Sequence, residues 1–264
     1  MPILLGNIGT IGWSRQTNGI LGRGERARFT AAVAVTTARV LPRLLATRAG
    51  LGRRTAGPDP SQLTPPDTPF TRELLEACAD LEPMIVQHGY RSYLYARALG
   101  EVDGVAADDE ALFAAALLHD YAFAEMDTIS GKCFTLAGAE VAAELLATSQ
   151  LAEALRHDVL DAMTLHLNPS VGVRQGAIQH LVHDGIALDV LGIRGWELDP
   201  DGTRRVQERH PRHRFSTRGE PLLRAHGKRV PGCRAGALFA TGFGPALRLA
   251  PWREGAEPPG GRRS

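Results

Sequence analysis

Residues 109–123 read DEALFAAALLHDYAF, and no other stretch constrains the fold as strongly. Ala and Leu are strong helix formers, and the apolar succession at 111–118 leaves no polar face for water. Such a helix has to lie inside the protein, with other elements on every side. Asp108 and Asp109 suit its N-terminal end, where carboxylates meet the positive end of the helix dipole. The run ends directly in His119 and Asp120. An imidazole and a carboxylate buried there are costly unless partnered, and a divalent metal ion would offset that cost. Adjacent helical residues point about 100° apart, so both can reach an ion lying in the angle between them. His-Asp recurs at His157-Asp158 and His183-Asp184, but only the first pair follows a long apolar run.

The remaining pattern is helical as well. No stretch alternates like a strand and no repeat recurs, so the expected fold is all-α. Helices are expected over 25–47, interrupted near Pro42; from an N-cap at Thr71 through Leu81; and over 83–100, 136–147, 151–167 and 174–191. Gly, Pro and Asp cluster over 49–69, which reads as a loop or linker. Beyond Pro200 the chain is Arg-rich, with helices expected over 204–210, 218–226 and 234–243 and a disordered tail. The expected units are an N-terminal helix and linker (1–64), a helical core (65–199), a C-terminal helical extension (200–252) and the tail (253–264).

Charge and cysteine usage exclude several classes. Lys and Arg number 30 against 29 Asp and Glu, a net charge of +1, so no basic field points to nucleic acid. The segment RRVQERHPRHRF has one aromatic and reads as a solvated face or a lid over a pocket. Cys78, Cys133 and Cys233 are far apart and form no CxxC, so neither a disulfide framework nor a zinc knuckle is expected. No apolar run approaches the ~20 residues that span a bilayer. The most apolar N-terminal stretch, 29–38, is flanked by Arg28 and Arg39, and MPILLGNIGTIGW lacks the basic start of a signal peptide. A cytoplasmic protein without a membrane partner is expected.

Three other positions could join the His-Asp pair. His88 lies in IVQHGYRSYLYARAL, with Arg91 three residues on and on the same helix face. Arg91 could orient a ligand carboxylate or hold an anionic substrate; a hydrogen-bonded core histidine is the alternative reading of His88. His166 ends the helical pattern DAMTLHLNP. Asp189, between Leu188 and Val190, is either partner to something buried or a helix-end residue reaching solvent.

Together, QHGYRSYLYARAL, ALFAAALLHDYAF, CFTLAGAEVAAELL, AMTLHLNP and ALDVLG resemble the HD superfamily of metal-dependent hydrolases. The nearer resemblance is to cyanamide-hydratase-like and actinobacterial HD-domain proteins, and it spans 65–252. It implies an HD-domain helical bundle with ligands in the order His … His-Asp … Asp, which fall here on His88, His119 with Asp120, and Asp189. His166 would sit beside the metal as a substrate-binding or proton-transfer group. Arg91 would orient a ligand or stabilise developing negative charge. Tyr121 and His183 are candidate pocket residues, with packing of the helix exit the alternative for Tyr121. Thr135 stands where relatives often carry an acid.

Dinuclear members need a further middle histidine. None occurs between Asp120 and His157, and His157 lies nine residues before His166, near the opposite face of one helix. One divalent ion, Zn, Mn or Fe, is therefore expected as cofactor. The resemblance implies hydration or hydrolysis of a small molecule by water activated on the metal, as in cyanamide hydration. The alternatives are a phosphohydrolase acting on a nucleotide or phosphate ester, an HD-type di-iron oxygenase, and a non-catalytic HD binding module. Arg91 as the principal fixed cation favours a small, weakly charged substrate. A homo-oligomer is compatible with the sequence. His157, His180, His210, His213 and His226 are read as solvated or surface groups.

Overall fold

The computed structural model describes residues 5–51 and 57–252. Twelve α-helices and no strand are present among the described residues, so the fold is all-α. They are α1 (Ile11–Thr17), α2 (Arg23–Arg48), α3 (Pro69–Ala77), α4 (Pro83–Asp103), α5 (Asp109–Leu118) and α6 (Phe134–Ala147). α7 (Glu153–Leu165), α8 (Ala177–Leu191), α9 (Pro200–Arg209), α10 (Phe215–Arg229), α11 (Arg234–Ala240) and α12 (Phe243–Leu249) complete the chain. The tail expected over 253–264 lies outside the described residues.

α5 is the central helix. Asp108 caps it by accepting from the Ala111 amide at 2.9 Å, and every residue over 111–118 is buried. α3, α4, α7 and α8 pack around it. Two glycines set how closely the helices approach. A Cβ on Gly89 of α4 would lie 2.9 Å from Leu117 Cα, and one on Gly185 of α8 only 2.2 Å from the Ser92 carbonyl. Near-contact of the three backbones brings the end of α5 against His88 on α4 and Asp189 on α8.

Several helix boundaries differ from expectation for local reasons. Thr68, not Thr71, caps α3; Thr71 sits at the third helical position and returns the bond, its hydroxyl accepting from the Thr68 amide at 2.9 Å. α2 runs unbroken through Pro42, whose turn faces solvent, so the carbonyl left unpaired at Ala38 is open to water. The helix expected over 234–243 is two helices, because Gly242 adopts φ +97°. α1 was not anticipated; Asp161 on α7 accepts from its Ile11 amide at 2.6 Å. α2 is also long and apolar enough, by length and composition, to span a bilayer, which 29–38 alone does not suggest. In this fold Phe29, Ala32, Val33 and Leu44 of α2 pack inward.

The C-terminal helices form a second layer with the N-terminal ones. Ile8, Trp13 and Phe29 share an apolar cluster with Phe123, Phe134, Phe215 and Leu238, distinct from the cluster around α5. The extension is thereby built into the body of the protein, and the two layers leave a cavity between them.

Candidate metal centre

Two helices end in a histidine in the same way. His119 closes α5 and His166 closes α7. The last carbonyls of a helix lack intrahelical partners, and here they take up the imidazole Nδ1–H groups. His119 Nδ1 donates to the Ala116 carbonyl at 2.8 Å, and His166 Nδ1 to the Met163 carbonyl at 2.7 Å. His88, inside α4, donates its Nδ1 proton to Asp189 Oδ2 at 2.6 Å. With Nδ1 committed, each ring in its neutral form presents a lone pair at Nε2.

These Nε2 atoms converge on Asp120. The carboxylate lies 3.4 Å from His119 Nε2, 3.7 Å from His166 Nε2 and 3.9 Å from His88 Nε2. The buried group His88–His119–Asp120 can hold a metal ion. Its donor chemistry fits one: His88 and His119 face each other through Nε2 at 3.1 Å, so two neutral rings would set lone pair against lone pair. A shared proton or a cation between them removes that repulsion. Two nitrogens on a tetrahedral zinc, each about 2.0–2.1 Å from it, sit about 3.3 Å apart.

The electrostatics point the same way. Burial pushes His88 down to about 4 even with Asp189 beside it. Burial, reinforced by His119, pushes His166 down to about 3. Burial also opposes charge on His119, but the adjacent Asp120 outweighs it and raises that group. Asp120 itself would be raised by burial, yet His119, with His166 and His88, holds it well below the usual carboxylate range. The site sets an ionised carboxylate and the unprotonated nitrogens of His88 and His166 at one buried point.

Asp189 is not placed as a ligand, which corrects the expectation. It meets His88 on the Nδ1 side, away from the other donor atoms. Oδ1 accepts from Arg91 Nε at 2.8 Å, Arg212 Nη1 at 3.0 Å and Gln207 Nε2 at 3.1 Å, while Oδ2 takes His88 Nδ1 and, at 2.9 Å, Arg91 Nη2. Five donors exceed the roughly four lone-pair positions of a carboxylate, so none remains for a metal. Burial would raise this acid, but Arg91 and Arg212 hold it ionised. Arg91 is placed behind the centre rather than in the pocket: it is fully buried and also donates to the His210 and Pro211 carbonyls at 2.9 and 3.1 Å. It orients the Asp189 carboxylate, which is not placed as a ligand, and it does not line the cavity.

The donors lie at the floor of a cavity of about 390 Å³. α2 contributes Val33 and Leu44 to its walls, α8 Ile186 and Val190, and α10 Leu223. Phe215 lies 4.3 Å from His88, its ring tilted by 35°, and Phe134 lies 6.1 Å from His166, ring centre to ring centre. His183 lines the wall, as expected, with Nδ1 on Asp184 and Nε2 on the Asn168 carbonyl, both at 2.9 Å. Tyr121 is absent from the lining; its hydroxyl donates to the Ala77 carbonyl at 3.3 Å and packs the helix exit.

The Arg-rich extension is not a purely solvated face. Arg212, Arg234 and His226 are buried, and His226 Nε2 accepts from the Phe134 amide at 3.1 Å. His210 stacks on Tyr90. Arg212, Gln207 and Phe215 were missed by the sequence reading. The one available signal was RRVQERHPRHRF, where a cation that seeks a buried acid looks like any other. His157 is exposed, as expected. Among the described residues, another acidic group with a histidine is Asp103, His180 and Asp184. Arg194 occupies it, 2.7 Å from both acids, so it is an ion-pair network.

No protein-family model matches the chain, and no curated protein matches it.

Proposed function

We propose that this protein is a metal-dependent hydrolase or hydratase of the HD type, with one divalent ion and a neutral small-molecule substrate. The observation that carries this reading is the convergence of three imidazole Nε2 atoms on Asp120 at the floor of an apolar cavity. His88, His119, Asp120 and His166 would hold the ion, His166 taking the place expected of Asp189. The donor set of three imidazoles and one carboxylate suits Zn, Mn or Fe. When bound, the ion supplies Lewis acidity, making water a nucleophile at neutral pH and polarising the bond under attack.

The chain's own groups prepare that chemistry. Asp189, pinned by Arg91 and Arg212, keeps the proton of His88 on Nδ1 and makes Nε2 the better donor. The Ala116 and Met163 carbonyls do the same for His119 and His166. Phe215 and Phe134 keep bulk water from the donor atoms, which strengthens every charge interaction there.

A phosphate ester finds little support. Among the described residues the cation in the cavity lining is Arg194, whose donors go to Asp103, Asp184 and Glu197. Arg97 and Lys132 pair elsewhere, with Asp109 and Glu140. Metal analysis of the purified chain is the deciding experiment. One ion per chain is expected, absent from His119→Ala and Asp120→Ala and bound at least tenfold more weakly by His166→Ala. Two irons with oxygen-dependent turnover would replace this reading with the oxidative one. A metal-free protein would leave only a binding module.

A further inference from the structure

The cavity is much larger than a cyanamide-like substrate requires. At ~30 Å³ for each water-sized share of volume, 390 Å³ corresponds to about thirteen such shares. A three-atom nitrile would fill roughly a quarter of it. The volume falls in the lower part of the ~300–1,000 Å³ typical of pockets for larger organic ligands.

The lining is graded in polarity. At the floor lie His88, His119, Asp120 and His166. Away from the floor the walls are aliphatic and aromatic, with Val33, Leu44, Ile186, Val190, Leu223 and Leu247 from both layers. The charged groups of the wall carry negative charge or are neutralised in place. Asp184 is paired with Arg194, and Glu220 with Arg224. In the metal-free protein an anionic head group would meet Asp120 and find no uncommitted cation among the described residues of this lining, whereas a neutral polar group meets no such repulsion.

We infer that the substrate is a neutral amphiphile: one uncharged polar group, such as an amide or nitrile, at the histidines, and an unbranched or ring-containing apolar body of about ten heavy atoms between α2, α8 and α10–α12. The position of the reacting group rests on the hydrolase reading above; the apolar body rests on the cavity alone.

The test is calorimetric titration of the full-length protein with straight-chain primary carboxamides, acetamide to decanamide, run on both chelator-treated and zinc-loaded samples. Each added methylene should tighten binding about fourfold until the cavity is filled. Octanoate and octyl phosphate should bind the chelator-treated protein at least tenfold more weakly than octanamide. Ala187→Phe on α8 and Ala246→Phe on α12 narrow the cavity from different walls, and each should move the plateau to shorter chains without changing zinc content. Binding independent of chain length, equal binding of octanoate by the chelator-treated protein, or a plateau unmoved in both folded variants overturns the inference. Length-dependent binding by a protein that takes up no zinc would sustain the apolar body and refute the hydrolase reading. Zinc uptake without length dependence would do the reverse.

Discussion

Asp189 Oδ2 lies 2.6 Å from Nδ1 of His88, and through Arg212 the same carboxylate ties the C-terminal layer to the candidate metal centre. The same carboxylate is gripped by Arg91 from α4 and by Arg212 from the segment before α10. A residue expected to bind metal instead sets the orientation and basicity of a candidate ligand.

Asp189→Asn therefore separates the two roles. The substitution leaves two buried guanidinium groups without their carboxylate, which should cost about 3–5 kcal/mol in denaturant unfolding. Metal affinity should fall about 10–100-fold, the usual effect of losing a ligand's hydrogen-bond partner. At saturating zinc the variant should still hold one ion with unchanged ligand count by X-ray absorption. Loss of one ligand there would restore Asp189 to the coordination shell.

Arg212→Met probes the reach of the extension. Arg212 donates to both the backbone carbonyl and the side chain of Asp189, at 2.9 and 3.0 Å. Arg91 remains to neutralise the acid, so the expected destabilisation is smaller, roughly 2–3 kcal/mol by chemical denaturation. A zinc competition titration should show weaker binding in the same variant, although no atom of Arg212 belongs to the donor set.

Gly185→Ala should be among the most damaging single-methyl additions. Its Cβ would press on backbone atoms of α4, which cannot step aside, and roughly 3 kcal/mol of stability should be lost. Gly24→Ala on α2 is the control. Nothing lies within 4 Å of its added methyl, and the shift should be a gain of about 0.5–1 kcal/mol. Thermal unfolding of the two variants should move in opposite directions.

Acid stability has a separate origin. Burial would raise Asp184, but bonds from His183 and Arg194 outweigh it and hold the acid down to about 2, from 3.8. Its stabilisation is complete above pH 4 and drains away as pH falls toward 2. The shift corresponds to about 2 kcal/mol. Asp184→Asn should lose that amount at pH 7 and show a flatter stability curve between pH 4 and 2. An unchanged acid limb would count against this ion-pair network.

What the residues revealed in advance depended on how local the cause was. The burial of α5 followed from its own composition, and the C-terminal end of α8 from Gly192, which takes φ +76°. The cap of α3 was misplaced by three residues because Thr68 and Thr71 are both capable caps, and only the pairing of the two decides. At the centre, His88, His119 and Asp120 were readable as a group. The place of Asp189 behind His88 was not, because it turns on which edge of the His88 ring meets a helix 101 residues away. Arg212 was unreadable for a related reason: its buried acid lies on another element, and its own neighbours are cations that stay outside.

Two corners of the centre are steered by the main chain. The carbonyls of Ala116 and Met163 choose the tautomers of His119 and His166, and no side-chain substitution can delete them. Only the third corner, His88, is steered by a side chain. Replacement of cavity-wall residues can thus reshape what the protein accepts while two of its imidazoles keep their aim, and drift in the donor geometry has one principal route, through Asp189 and the two arginines behind it.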